Sequence, residues 1–179
     1  MANGKTNEDS YITSKNDLME ILSGCNRCFN STLKGALVIS HKQLPHISLN
    51  YLSKLKNLCL IIHSGTNNET AHWFNLVIYN RKTVLLCDGL NQIKTNQEIM
   101  SNIASFCRTN RLVFHDFKLR YQTKTSKKCG YLACFFAYKL TSSTFHNFLK
   151  FQRMLVQNSV ATNEQFMMQR VISHFNLLI

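Results

Sequence analysis

One proline and six glycines in 179 residues leave no stretch that reads as a long linker, so the chain is expected to form a single domain over 1–179. Acidic residues are scarce. Nine Asp plus Glu stand against 21 Lys plus Arg, a formal net charge of +12. That imbalance suits a polyanionic partner such as nucleic acid, a charged surface or an acidic peptide; a basic solvated surface with no partner gives the same count. No stretch approaches 18 consecutive apolar residues, which argues against a membrane-spanning helix. The first twelve residues are polar, lack the apolar core of a secretory leader, and are expected to be disordered. Seven cysteines (25, 28, 59, 87, 107, 129 and 134) are an odd number, and without a leader they argue against a disulfide scaffold and for a reducing compartment. A Gly-rich phosphate loop, an HExxH helix and zinc-finger spacing are all missing, so no metal site is expected.

What is present is a core-forming composition: 45% apolar residues, with twelve Phe and six Tyr. A helix is expected from Thr13 or Ser14 to Leu22, a loop over 25–35 containing Cys25-x-x-Cys28, and a short apolar run at Ala36–Ile39. A brief helical segment is expected near 48–54. Cys59–His63, Trp73–Tyr79 and Thr83–Cys87 read as strands, with Asn80-Arg81-Lys82 turning the last two into a hairpin. A polar loop is expected over 64–70. Helices are expected over 96–107, 128–141, 143–156 and 163–175, and a strand over Leu112–Tyr121, with Leu112, Phe114, Asp116, Lys118 and Arg120 on one side. The fold class that follows is α+β, with a central mixed sheet on one side and a helix starting near Cys129 packed on it.

That helix carries the chemistry. Cys129, Leu132, Ala133, Phe136, Ala137 and Leu140 recur at helical spacing, and Ser126 is placed to cap the first turn. Cys129 then lies among free backbone N–H groups at the positive end of the helix dipole, behind Lys127 and Lys128. Both features favour a thiolate. Gly130 leaves room for a substrate backbone, whereas Cys134 among Ala133, Phe135 and Phe136 reads as core. A thiolate nucleophile needs a base and a group to orient that base. His72, at a loop–strand junction beside Trp73, is the candidate base. Asp88, Glu98 and Asp116 are the only carboxylates between it and Cys129. The hairpin returns Asp88 to the start of the strand that His72 precedes, so Asp88 is the candidate orienter; an ordinary Asp-Gly turn is the bland alternative. Gln122, seven residues before Cys129, is the candidate oxyanion donor, together with the Cys129 backbone N–H.

Taken in order, Ala71-His72-Trp73, the strand pair ending Leu85-Leu86-Cys87-Asp88-Gly89-Leu90, Gln122 and Cys129-Gly130 resemble the adenovirus maturation protease (adenain) family of cysteine endopeptidases. The strongest likeness covers 36–141. The related ubiquitin-like-modifier proteases share the same order, with a shorter Gln-to-Cys interval and an Asp where this chain has Lys128. The resemblance implies a papain-like arrangement in the order His, Asp, Gln, Cys, with His72, Asp88, Gln122 and Cys129 as the catalytic set. Asp88 stands where the mammalian-type adenoviral enzymes carry Glu. It further implies cleavage of viral precursor polypeptides near small residues (Gly) during particle maturation, by a monomer in the host nucleus or cytoplasm and in the virion. It implies activation by DNA and by a viral peptide, with Cys107 nearest in order to the peptide-linking cysteine, and no metal or small-molecule cofactor. Two alternatives stand beside this reading: a ubiquitin-like-modifier protease or deubiquitinase, and a non-enzymatic basic DNA-binding capsid protein.

Overall fold

The computed structural model describes residues 36–52, 57–65, 72–141 and 144–175. The helix expected within 13–22, the Cys25-x-x-Cys28 loop, Ala71 and most of the 64–70 loop lie outside the described residues.

Five strands form one mixed sheet: β1 (Ala36–Ser40), β2 (Asn57–His63), β3 (Trp73–Tyr79), β4 (Thr83–Cys87) and β5 (Val113–Asp116), in that spatial order. The outer pairs β1–β2 and β4–β5 are parallel; β2–β3 and β3–β4 are antiparallel. Central strands β2 to β4 are apolar along almost their whole length because both faces of the sheet are covered. Side chains alternate between the faces with period two. Cys59, Ile61, Val77, Leu85 and Cys87 point to one core, while Leu58, Leu60, Ile62, Leu76, Val84 and Leu86 point to the other.

The first core is closed by helices α2 (Cys129–Thr141), α3 (Phe145–Val156) and α4 (Val160–Phe175). The second is closed by α1 (Gln97–Thr109), through Ile99, Ile103 and Phe106, and by 3-10 turns at His41–His46 and Leu49–Leu52. The α+β class with a mixed sheet packed against helices therefore stands. The expectation of a sheet lying to one side does not, since helices cover both faces. Helix α2 also differs from the single apolar stripe expected of it. Residues 130–137 are buried all round, including Tyr131, Cys134 and Phe135, because the sheet lies on one side of the helix and α3 and α4 on the other.

Three local features depart from the sequence pattern. The strand expected over Leu112–Tyr121 ends at Asp116; the Asp116 carboxylate takes the Lys118 N–H at 3.0 Å, and Lys118 turns left-handed at φ 56°. Helix α4 starts three residues before the expected Asn163. The β3–β4 hairpin turns through Asn80 and Arg81, both at positive φ (50° and 56°), the handedness that matches strand twist; the Arg81 guanidinium is held on the Leu49 carbonyl at 2.9 Å.

Candidate active site

The β3–β4 register pairs Asn75 with Cys87, so Asp88 follows one step out, at the end of the sheet where His72 enters β3. His72 Nε2 and Asp88 Oδ1 lie 2.6 Å apart. The carboxylate is buried and saturated with donors. Oδ1 also accepts the Leu90 N–H at 3.0 Å, and Oδ2 accepts the N–H groups of Gln92 and of Ile93, the latter at 2.7 Å. Burial alone would raise the acid's pKa; His72 and these backbone donors outweigh it and hold Asp88 below the usual carboxylate range.

His72 is fixed through its main chain as well. Its N–H donates to Ser64 Oγ at 2.9 Å and its carbonyl accepts the Ser64 N–H at 3.0 Å. With Nε2 engaged by Asp88, Nδ1 is the ring nitrogen left for the Cys129 thiol, with which the imidazole hydrogen-bonds. Burial disfavours the imidazolium, but the Asp88 and Cys129 partners prevail and raise the His72 pKa to about 9. Cys129 is half-buried at the first residue of α2. Burial pushes its thiol up. Hydrogen bonds from His72 and from the N–H groups of Trp73 and Gly130 pull it down further, and the net shift is downward. Both shifts act in the direction that favours a thiolate–imidazolium pair.

The remaining described cysteines have no such setting. Burial raises Cys59 to about 12 and Cys107 to about 11, and pushes Cys87 up as well. The Ser126 hydroxyl accepts the Lys128 N–H at 3.2 Å, one residue ahead of α2, so it braces the approach to the helix instead of capping its first turn.

Gln122 is buried between Gly89 and the loop leading to α2. Its Nε2 donates to Ser126 O at 2.9 Å, and its Oε1 is buried without a hydrogen-bond partner. Its own N–H and that of Tyr121 both go to Gly89 O, at 3.0 and 3.1 Å. Trp73 is buried, its ring 4.6 Å from that of His63, so it fills space behind the site. Sequence reasoning missed Glu164, a buried carboxylate on α4 whose Oε2 accepts both the N–H and the hydroxyl of Thr123, at 2.6 and 3.0 Å. Nothing local in the sequence marks it, because the contact joins segments 41 residues apart. Among the described residues no group of three or more His, Cys, Asp and Glu side chains is arranged to hold a metal, and no helix is long and apolar enough to cross a membrane.

No family model and no curated protein sequence matches the chain. A solved structure described as "AvrA delL154 with IP6, CoA" shares its fold, with a TM-score of 0.55 and 15% identity over 81% of this chain. This chain spans 57% of the length of that structure. At that identity the likeness shows a shared α+β fold and does not reach the adenovirus maturation family in particular. It also corrects two expectations. A fold expected to work without a small-molecule cofactor, activated by DNA and by a viral peptide, is represented by a structure holding IP6 and CoA. Viral precursor polypeptides and nucleic acid are withdrawn as partners with it. The physical reason is that a net charge of +12 does not distinguish a nucleic acid from any smaller polyanion.

Proposed function

We propose that this chain is a cysteine-dependent acyl-transfer enzyme that hydrolyses peptide or isopeptide bonds following a small residue such as glycine, in the manner of a ubiquitin-like-modifier protease. The observation that carries the reading is the hydrogen-bonded chain from the Cys129 thiol through the His72 ring to the four-fold-saturated Asp88 carboxylate. In the proposed reaction the Cys129 thiolate attacks the scissile carbonyl carbon. The negative charge that develops on oxygen is met by the Cys129 backbone N–H and by the Gln122 amide, one of whose two N–H groups serves Ser126 O while the other remains for the oxyanion. The imidazolium of His72 gives its Nδ1 proton to the leaving amine as the C–N bond breaks. Neutral His72 then takes a proton from water, whose oxygen attacks the thioester and releases the acid and the thiolate.

The test is a modifier bearing a C-terminal electrophile at the glycine carbonyl, offered to the wild-type chain and to Cys129→Ala, His72→Ala and Gln122→Ala. A covalent adduct on Cys129, with turnover of the matching amide lost in Cys129→Ala and His72→Ala, is expected. Undiminished turnover in Cys129→Ala removes the reading.

A second reading draws on the CoA of the AvrA structure: the acyl group would arrive as a CoA thioester and leave on an acceptor amine or hydroxyl. The same thiolate would attack the thioester carbonyl, with CoA leaving as the thiol after protonation by His72. CoA and IP6 both carry phosphates, which the +12 charge suits. Accumulation of acyl-Cys129 from acyl-CoA, with transfer to an acceptor faster than to water, selects this reading over hydrolysis.

A further inference from the structure

We propose that Glu164 is a positioning residue for Gln122: from α4 it clamps the peptide that follows Gln122 and so fixes where the Gln122 amide presents its free N–H. The inference rests on the acyl-transfer reading above and assigns a role to a residue outside its catalytic set.

Gln122 is confined from two sides. On one side is Gly89. A Cβ built there would lie 2.8 Å from Gln122 Oε1, 2.9 Å from Gln122 Cβ and 3.1 Å from the Tyr121 ring, so a side chain would displace the glutamine. Gly89 does not have a positive φ; the glycine serves close approach, not turn geometry. Its carbonyl also takes both the Tyr121 and Gln122 N–H groups, which pins the main chain of the segment. On the other side is Glu164. One carboxylate oxygen accepts both donors of Thr123, the residue directly after Gln122. Thr123 O in turn accepts the Ser126 N–H at 3.1 Å, and Ser126 O is the group that the Gln122 amide holds. Glu164 thus anchors one end of a small closed loop whose other tie is the Gln122 side chain itself. Helix α4 is a firm base for the anchor: Met167, Met168 and Val171 are buried in the same core as α2.

The clamp is separate from the acid–base pair. Asp88 takes its donors from Leu90, Gln92 and Ile93, and His72 is tied to Ser64; none of these contacts involves 121–126 or Glu164. Loss of Glu164 should therefore impair stabilisation of the oxyanion while leaving ionisation of Cys129 intact.

The experiment uses the full chain with Glu164→Ala, Glu164→Gln, Gln122→Ala and the Gln122→Ala/Glu164→Ala double variant. Three quantities are read: kcat and KM on a Gly-Gly aminocoumarin amide, the rate of Cys129 alkylation by iodoacetamide from pH 5 to 10, and the NMR signals of the Gln122 side-chain amide. Glu164→Ala is expected to lower kcat about tenfold, part of the roughly 10²–10³-fold cost of losing an oxyanion donor outright, with KM within about twofold. Glu164→Gln, which keeps an acceptor oxygen for Thr123, should recover most of that loss. It also serves if the alanine variant fails to fold. The double variant should be no slower than Gln122→Ala alone, alkylation should keep its rate and pH profile, and the Gln122 amide signals should shift or broaden. Unchanged kcat in both Glu164 variants, losses that multiply in the double variant, or alkylation that falls in step with kcat would each overturn the proposal. A wild-type chain that alkylates but never turns over this amide refutes the hydrolytic reading instead; the amide signals then decide the clamp, and their persistence in Glu164→Ala ends it.

Discussion

Asp88→Asn separates the acid's electrostatic work from its shape. The substitution keeps size but leaves one acceptor oxygen and adds two donors. Asp88 now serves His72 Nε2 and Leu90 N with one oxygen and the Gln92 and Ile93 N–H groups with the other. If the Asn oxygen faces the loop, its NH₂ faces His72, and Nε2 must become an acceptor. The ring proton then moves to Nδ1 and the neutral ring has no lone pair for the thiol. If the oxygen faces His72, two loop N–H groups confront an NH₂ and the loop opens. The magnitude follows from the pKa of His72, raised from 6.5 to about 9 although burial pulls the other way. That rise corresponds to roughly 3 kcal/mol, shared between Asp88 and Cys129. On that scale kcat/KM at neutral pH should fall by about one to two orders of magnitude. The wild-type profile should be a plateau bounded below by protonation of Cys129 and above by loss of the His72 proton at about 9. In Asp88→Asn the upper limb should retreat by about one unit or more. The assay is kcat/KM from pH 5 to 10.5, paired with Cys129 alkylation rates over the same range. An upper limb that stays near 9, with a loss under about fivefold, refutes the account of Asp88 as the group that holds the imidazolium.

Among the described cysteines, brief treatment with iodoacetamide at pH 7 should modify Cys129 and spare Cys59, Cys87 and Cys107, whose thiols burial keeps protonated; peptide mapping by mass spectrometry checks the order. The Asn75 amide bridges Cys59 Sγ at 3.2 Å and Ala133 O at 3.1 Å, tying β3 to α2, so Asn75→Ala should cost about 2 kcal/mol in urea unfolding. Phe136→Ala, at a fully buried position ringed by Phe117, Tyr121, Phe135 and Phe151, should cost about 3–5 kcal/mol by the same measurement. Asp88 has a lower pKa folded than unfolded, so its contribution to stability is present above its ordinary value of 3.8 and is lost as pH falls through the folded value; acid titration by circular dichroism should show a shallower loss in Asp88→Asn below pH 4.

Much of the sheet was legible because the central strands are short continuous apolar runs bounded by polar turns, and Asn80-Arg81-Lys82 marks the hairpin directly. The proximity of Asp88 to His72 could be read from that hairpin, since antiparallel pairing returns the end of one strand to the start of the other. The misread strand over 112–121 shows the limit of alternation as a signal. Phe117 is buried among Tyr121, Phe136 and Phe148 after the chain has already left the sheet, and period two does not report that a left-handed Lys118 ends the regular backbone. Ala36–Ile39 read only as an apolar run because the parallel pairing that makes it β1 depends on β2, more than twenty positions away. The buried second side of α2 was hidden for a similar reason: Tyr131, Cys134 and Phe135 look like ordinary helix residues until α3 and α4 close over them. Glu164 was illegible altogether, as an acidic residue early in a helix has many uses and only the fold brings it to Thr123. The Gly89 carbonyl and its bare Cα face belong to the same category, since the dipeptide Asp-Gly suggests a turn and conceals a packing contact.

The sulfur and the imidazole reach each other from different kinds of element, one opening a helix and the other entering a strand, and only docking of α2 onto the sheet joins them. An unfolded chain therefore carries an ordinary thiol, only a few per cent ionised at neutral pH. The setting that lowers the Cys129 pKa exists only with α2 seated on the sheet, so the rate at which residue 129 is alkylated reports that docking.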